Sequence, residues 1–189
     1  FNHSKNYQTL SLVAKVGVDS DDLAGKVETY LDGLYRSSKV IFGFNYADNN
    51  LDITHDNDTM GDHGTHVAGI IAARNNNIGV VGIAYNVKIM PIKAASHSGY
   101  FLQSDIAKAV LYAHDMGAEV INMSFGGTAC SLAVQDALAY AYTRCVLVAS
   151  AGNDGANNEG MLAIPSYPAG LTYVLGVMSV DRNNVESAF

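Results

Sequence analysis

The amino-acid sequence predicts an α/β domain whose central sheet is mainly parallel and covered by helices on both faces. Three observations lead there. Several segments are apolar throughout, among them AEVINMSF (118–125), CVLVASAG (145–152) and TYVLGVMSV (172–180), and strands buried on both faces read this way. Helical segments of about fourteen residues separate them, the spacing expected of crossover units. The composition agrees, since 189 residues, 49% of them apolar, with 18 glycines and 3 prolines, suit one compact domain with a sizeable core.

In chain order, residues 1–38 are the least regular. SDDLAGKVETYLDGLY (20–35) predicts an amphipathic helix capped by Ser20. KVIFGFNYA (39–47) predicts a strand that runs into a polar, aspartate-rich loop, DNNLDITHDNDTMGD (48–62). In GDHGTHVAGIIAA (61–73), Gly61 and Gly64 loosen the backbone around His63. From Thr65 onward the residues are small or apolar, as in a helix over roughly 63–74 buried on most faces. His63 then stands at the helix mouth and His66 one turn further in. The positive end of a helix dipole disfavours an imidazolium, which suits an imidazole that must accept a proton.

The Asn-rich turn 75–77 leads through IGVVGIAY, read as turn and short strand, to the strand KIMPIKAA (88–95). SDIAKAVLYAHDMG (104–117) predicts a helix with Ser104 as its cap and Gly117 just past its end. SLAVQDALAYAYTR (131–144) predicts another. In parallel sheets, ligand sites form at the carboxyl ends of the strands. Those ends here are SFGG after Ser124, SAGND after Ser150, and the loop feeding His63.

The net charge of −7 comes without a basic cluster, which argues against a nucleic-acid partner. No apolar run reaches the length of a membrane helix. Cys130 and Cys145 flank the 131–144 helix, whose fourteen residues would hold them about 20 Å apart. A disulfide needs Cα atoms within about 7 Å, so two free thiols, packed as core cysteines, are expected. A chain that starts at Phe1 and stops within the strand-like VESAF reads as a piece of a longer protein, incomplete at both ends.

Three blocks carry a resemblance. HGTHVAG (63–69), VINMSFGG (120–127) and VASAGNDG (148–155) occur in that order and resemble the signature blocks of the subtilisin-like serine proteases. The similarity runs over about residues 39–189, and GLYRSSKVIFGFNYADNN resembles the large cell-envelope branch that includes the lactocepins. The resemblance implies a three-layer α/β/α fold and a serine-type endopeptidase with an Asp-His-Ser triad. It implies His63 as the general base, taking a proton from a serine hydroxyl and returning it to the leaving amine, and His66 as a structural residue packed inside the helix. Asn153 matches the asparagine whose amide helps form the oxyanion hole; taken alone, an Asn in NDG also suits a plain turn.

The resemblance further implies that Ser124, Phe125 and Gly126 pair with an extended substrate and line one wall of its primary pocket. Ser150, Ala151 and Gly152 form the opposite wall, and Gly99, Tyr100 and Phe101 form a second edge gripping the peptide. The chemistry requires no cofactor. ARNNNIGV (73–80) resembles a calcium loop of some subtilases, with Asn76 giving a side-chain oxygen and Arg74, Ile78 and Val80 backbone carbonyls; a tight turn without metal is the alternative, and the aspartates of 48–62 are a vaguer second site. The partner is a polypeptide, and secretion is expected from the family.

Two blocks are absent. The sequence holds neither the serine block G-T-S-x-A/S-x-P nor the aspartate block D-[ST]-G. Aligning VAKVGVD (13–19) with the latter would put Lys15 in the aspartate's place and make the chain an inactive homologue, a pseudoprotease or peptide-binding module. The reading preferred here puts the aspartate before residue 1 and the serine after residue 189, with the chain itself inactive.

Overall fold

The computed structural model describes residues 12–16 (backbone), 37–53, 63–96, 98–153 and 165–187. The helix expected over 20–35 and the 54–62 part of the aspartate-rich loop lie outside the described residues. Six strands form one sheet: β1 (Leu12–Val16), β2 (Phe44–Asn45), β3 (Met90–Lys93), β4 (Ala118–Met123), β5 (Val146–Ser150) and β6 (Leu175–Val177). Their order is β2-β3-β1-β4-β5-β6. The helices among the described residues are α1 (His63–Ala72), α2 (Gln103–Asp115) and α3 (Leu132–Tyr142).

The expected parallel pairing holds for β2 with β3, β4 with β5, and β5 with β6. The departure is β1, which fills the centre of the sheet and runs antiparallel to both β3 and β4. By its sequence this stretch belongs to the least regular part of the chain. LVAKV is too short for its period to separate strand from loop, and an apolar run of this length is arbitrated by its partners. Two further strand readings shrink. IGVVGIAY forms a turn over 83–86 rather than a strand, and TYVLGVMSV keeps three strand residues, all exposed.

The core lies between the sheet and the helix pair α2–α3. Met90, Ile92, Ile121, Met123 and Leu147 from the strands meet Ile106, Val110, Val134 and Leu138 from the helices, all buried. These are β-branched or long apolar side chains at strand and i, i+4 helix positions, each worth about 1.5–3 kcal/mol when fully buried. Helix α1 sits apart, packing Ala68, Ile71 and Ala72 on Val87 and Ile89. It is buried at Gly64, Gly69 and Ala72 only, not on most faces as its composition suggested.

The helix ends follow different rules. Ser131 caps α3 as a side-chain acceptor from the Val134 N–H at 3.3 Å. Ser104 does not cap α2. The cap is Leu102, extended and without a side-chain bond, and Ser104 lies inside the first turn with its Oγ on Asp105 Oδ1 at 3.4 Å. Gly117 follows α2 at φ +88°, as expected of a residue that must leave the helix left-handed. Cys145 is buried and Cys130 half-buried, and both are free thiols.

Candidate active site

His63 is the first residue of α1, and its side chain is exposed. The segment after the helix holds this helix in place. Gly82, Ile83 and Ala84 donate their N–H groups to the carbonyls of Ala73, Ile70 and Ile71 at 2.9, 3.0 and 2.8 Å, satisfying carbonyls that a helix end leaves without partners. His66 is exposed as well, so the expectation of a core histidine fails among the described residues. One turn of helix turns a side chain by 3.6 residues per circuit, and the buried stripe through Gly64, Gly69 and Ala72 leaves position 66 off it.

At the carboxyl ends of the sheet, β4 and β5 are paired with Met123 opposite Ala149, so Ser124, just past β4, and Ser150, the last residue of β5, come next on neighbouring strands. Asn122 Nδ2 donates to Ser124 Oγ at 2.9 Å. The Ala151 N–H donates to the Val177 carbonyl at 2.9 Å, which carries the sheet pairing one residue past β5. Gly152 then turns with φ +105°, a conformation open to glycine, and Asn153 follows, exposed. The three residues expected as one pocket wall thus sit on an anchored strand end, with the expected oxyanion donor directly after it.

The second set of expected residues builds a cavity of about 330 Å³. Its lining includes Gly99, Tyr100 and Phe101 on one side, and Phe125 and Gly126 on the other. Ser124, Ser150, Ala151 and Gly152 are not among its lining. The first side is fixed by Ala95 pairing with Phe101 and by the Ser96 N–H on the Tyr100 carbonyl at 2.8 Å, with Gly99 at φ +78° in the turn. The second side is fixed by a reciprocal backbone pair between Gly127 and Tyr167, at 3.0 and 2.8 Å. The rings of Phe101 and Phe125, both in the lining, stack with centroids 4.7 Å apart. Sequence reasoning missed Gln103, Ile106, Val134, Tyr167 and Pro168 in this lining. Ile106 and Val134 read as ordinary helix core, and Tyr167 belongs to an irregular stretch with no period to place it.

Of the expected calcium donors, Arg74, Asn76, Ile78 and Val80 all lie in an exposed turn, with Asn77 and Gly79 at φ +60° and +66°. Asn76 Oδ1 accepts from the Ile78 N–H at 3.1 Å, and the Arg74 side chain reaches Ser38 Oγ at 3.3 Å. Four oxygens fall short of the six to eight that calcium takes, so these residues alone do not make a complete site. Among the described residues no group of three or more His, Cys, Asp or Glu could hold a metal. Of the second candidate, Asp48 is paired with the buried Lys93 at 3.3 Å and accepts from Asn45 Nδ2 at 2.8 Å.

Residues 21–189 match the model of the subtilase family, Peptidase_S8. The chain belongs to the subtilase family. Its subtilase relatives include the thermophilic serine proteinase of Bacillus sp. (strain AK1), 39% identical over 80% of this chain and 36% of that protein. Thermitase of Thermoactinomyces vulgaris is 37% identical over 81% of this chain and 52% of that protein. Subtilisin DY of Bacillus licheniformis is 36% identical over 87% and 58%. Among solved structures, sphericase superposes with a TM-score of 0.61 at 27% identity, covering 75% of this chain and 48% of that one. The fold is thus subtilisin-like, a partial three-layer α/β/α domain. The chain spans about a third to three fifths of the length of these three relatives.

Proposed function

We propose that the chain is the part of a serine endopeptidase catalytic domain that carries the general base and the substrate groove. The observation that carries this is the meeting of Gly99–Phe101 with Phe125–Gly126 around one cavity, two partly exposed segments suited to an extended peptide. Main-chain bonds to such edges give affinity and the pockets between them give selectivity. His63 takes the proton of the attacking serine and returns it to the leaving amine. Asn153 donates its side-chain amide to the oxygen that becomes negative as the carbonyl carbon turns tetrahedral. The aspartate that orients His63 and the serine that attacks belong to sequence on either side of residues 1–189, and membership of the cell-envelope branch is part of the same reading.

The inactive alternative, with Lys15 standing for the aspartate, is disfavoured by the strand register. Lys15 lies opposite Val120, near the start of β4, while Leu12 lies opposite Met123 at its end. An antiparallel β1 therefore carries Lys15 away from the carboxyl ends where Ser124 and Ser150 stand. This reading also includes calcium as a structural ion at the 74–80 turn, its shell completed by donors beyond the four named.

A serine-directed phosphonate on the protein encoded by the whole reading frame tests the assignment. Covalent labelling lost in a His63→Ala variant is the expected result. In that longer protein Asn153→Ala lowers kcat by about 10²–10³-fold, the loss known for an oxyanion-hole donor in a subtilisin. A whole reading frame without D-[ST]-G upstream and G-T-S downstream would instead establish the binding module. The 189-residue chain alone should hydrolyse no peptide measurably, and hydrolysis abolished by His63→Ala would overturn the placement of the serine outside it.

A further inference from the structure

We propose that Asn122 is a positioning residue whose side-chain amide holds Ser124, and with it the start of the substrate edge 124–126, in register with the reacting bond. The proposal rests on the endopeptidase reading of the chain. Asn122 lies inside β4, and an asparagine is a poor fit to a pleated strand. Ile121 and Met123 are buried in the core shared with α2 and α3, so Asn122 and Ser124 fall on the opposite face of the strand. That face also carries Val120 and, on β5, Val148, the register partner of Asn122. A valine at 122 would continue the row. The amide instead donates from Nδ2 to Ser124 Oγ at 2.9 Å.

The bond matters because of what lies beyond it. The register of β4 with β5 ends at Met123 opposite Ala149. Among the described residues, the backbone of Ser124, Phe125 and Gly126 makes no hydrogen bond to other backbone, which leaves it open to an extended peptide. The next backbone anchor is the reciprocal Gly127–Tyr167 pair. An edge held only there would move with the freedom that Gly126 allows, and Asn122 ties its near end back to a paired strand. The bond also directs the hydroxyl. Ser124 Oγ accepts from the amide, so its own O–H stays a donor. Ser124 is not part of the lining of the cavity between Gly99–Phe101 and Phe125–Gly126, so this control is separate from the room that cavity offers. Asn122 thus acts through Ser124, from within the strand.

The test uses the protein encoded by the whole reading frame and a chromogenic peptide substrate, with Asn122→Val, which removes the amide and suits the strand. Holding the reacting carbonyl in place acts in the transition state, so kcat should fall roughly tenfold, the scale of one net hydrogen bond, with KM within about twofold. The urea midpoint should stay level or rise, because a β-branched side chain replaces an amide beside valines. A purely structural asparagine would do the reverse, lowering the midpoint and leaving kcat alone. Ser124→Ala should lower kcat by a similar factor. Asn122→Val combined with Ser124→Ala should lose no more than Ser124→Ala alone, since both remove one interaction.

An unaltered kcat in Asn122→Val, whatever KM does, overturns the positioning role, and so does a combined variant whose two losses multiply. Where Asn122→Val does not fold, Asn122→Ala, which also lacks the amide, decides by the same comparison. If neither folds, Asn122 holds the sheet itself and the positioning role is overturned. A wild-type protein that a serine-directed phosphonate leaves unlabelled fails as an endopeptidase, and the positioning role falls with that reading. A labelled protein in which Asn122→Val turns over like wild type loses the positioning role alone.

Discussion

An added methyl group at Gly82 would lie 2.4 Å from the backbone nitrogens of Ala72 and Ala73. The residue is a glycine because the chain must cross the end of α1 closely enough to bond its last carbonyls. That crossing also anchors the helix that begins at His63. Gly82→Ala should cost about 2–3 kcal/mol in urea unfolding, since backbone atoms cannot step aside as a side chain can. Gly127→Ala, whose added carbon meets nothing within 4 Å, serves as the control and should change stability little. The thiols make a second residue-scale prediction. Burial pushes the Cys145 and Cys130 thiols above their ordinary range, and Cys145 also donates to the Ala118 carbonyl at 3.0 Å. A raised thiol favours the protonated form in the folded state. The resulting stability is full below the ordinary thiol range and is lost as pH rises through the folded value. Alkylation at neutral pH should therefore reach Cys130 first and Cys145 only on unfolding, and equal rates in the native chain would contradict this.

At the scale of elements, the two helices beside the groove begin differently, and substitution separates them. Ser131→Ala removes a side-chain cap and should cost about 1 kcal/mol. Ser104→Ala removes only a 3.4 Å contact to Asp105 and should be near neutral, although the sequence marks both serines as caps. Denaturant midpoints of the two variants decide, and equal losses would restore Ser104 as a cap. The reason for the misreading is physical. Leu102 is extended and Asp105, buried in the first turn, supplies the negative charge that a helix N-terminus favours, so no hydroxyl is needed there. The elements that were legible, β4, β5, α2 and α3, carry continuous apolar runs or clear helical spacing. Those that were not, β1 and the Tyr167 region, are decided by partners far away in the chain. The same divide runs through the site. His63 at a helix start and the strand ends at Ser124 and Ser150 follow from local pattern, and the exposure of His66 and the bonds of the Gln103 amide to Ala129 and Ser131 depend on what stands opposite.

On the scale of the whole molecule, the described surface carries two groups of exposed large apolar side chains. Ile83 is 89% exposed, with Ile70, Ile78, Val80 and Val81 more than half exposed around the end of α1. A second set, Leu175, Val177, Met178 and Val180, lies along and just past β6, the outermost strand on that side of the described sheet. Contiguous apolar surface of this kind marks a contact face or a tendency to associate, and an outer strand presents unpaired backbone groups that invite further pairing. The relatives named above extend well past the region matched here. The 189-residue chain by itself should bind an anilinonaphthalene dye in its native state and show a sedimentation coefficient that rises with concentration. Leu175→Lys together with Val177→Lys places charges on the β6 edge and should suppress the association there, because edge lysines oppose strand addition. Dye binding around Ile83 should survive those two substitutions and fall with Ile83→Lys. A chain that sediments as a monomer at all concentrations and leaves the dye dark would mean that these side chains fold onto one another, and that the fold closes over its own apolar edges.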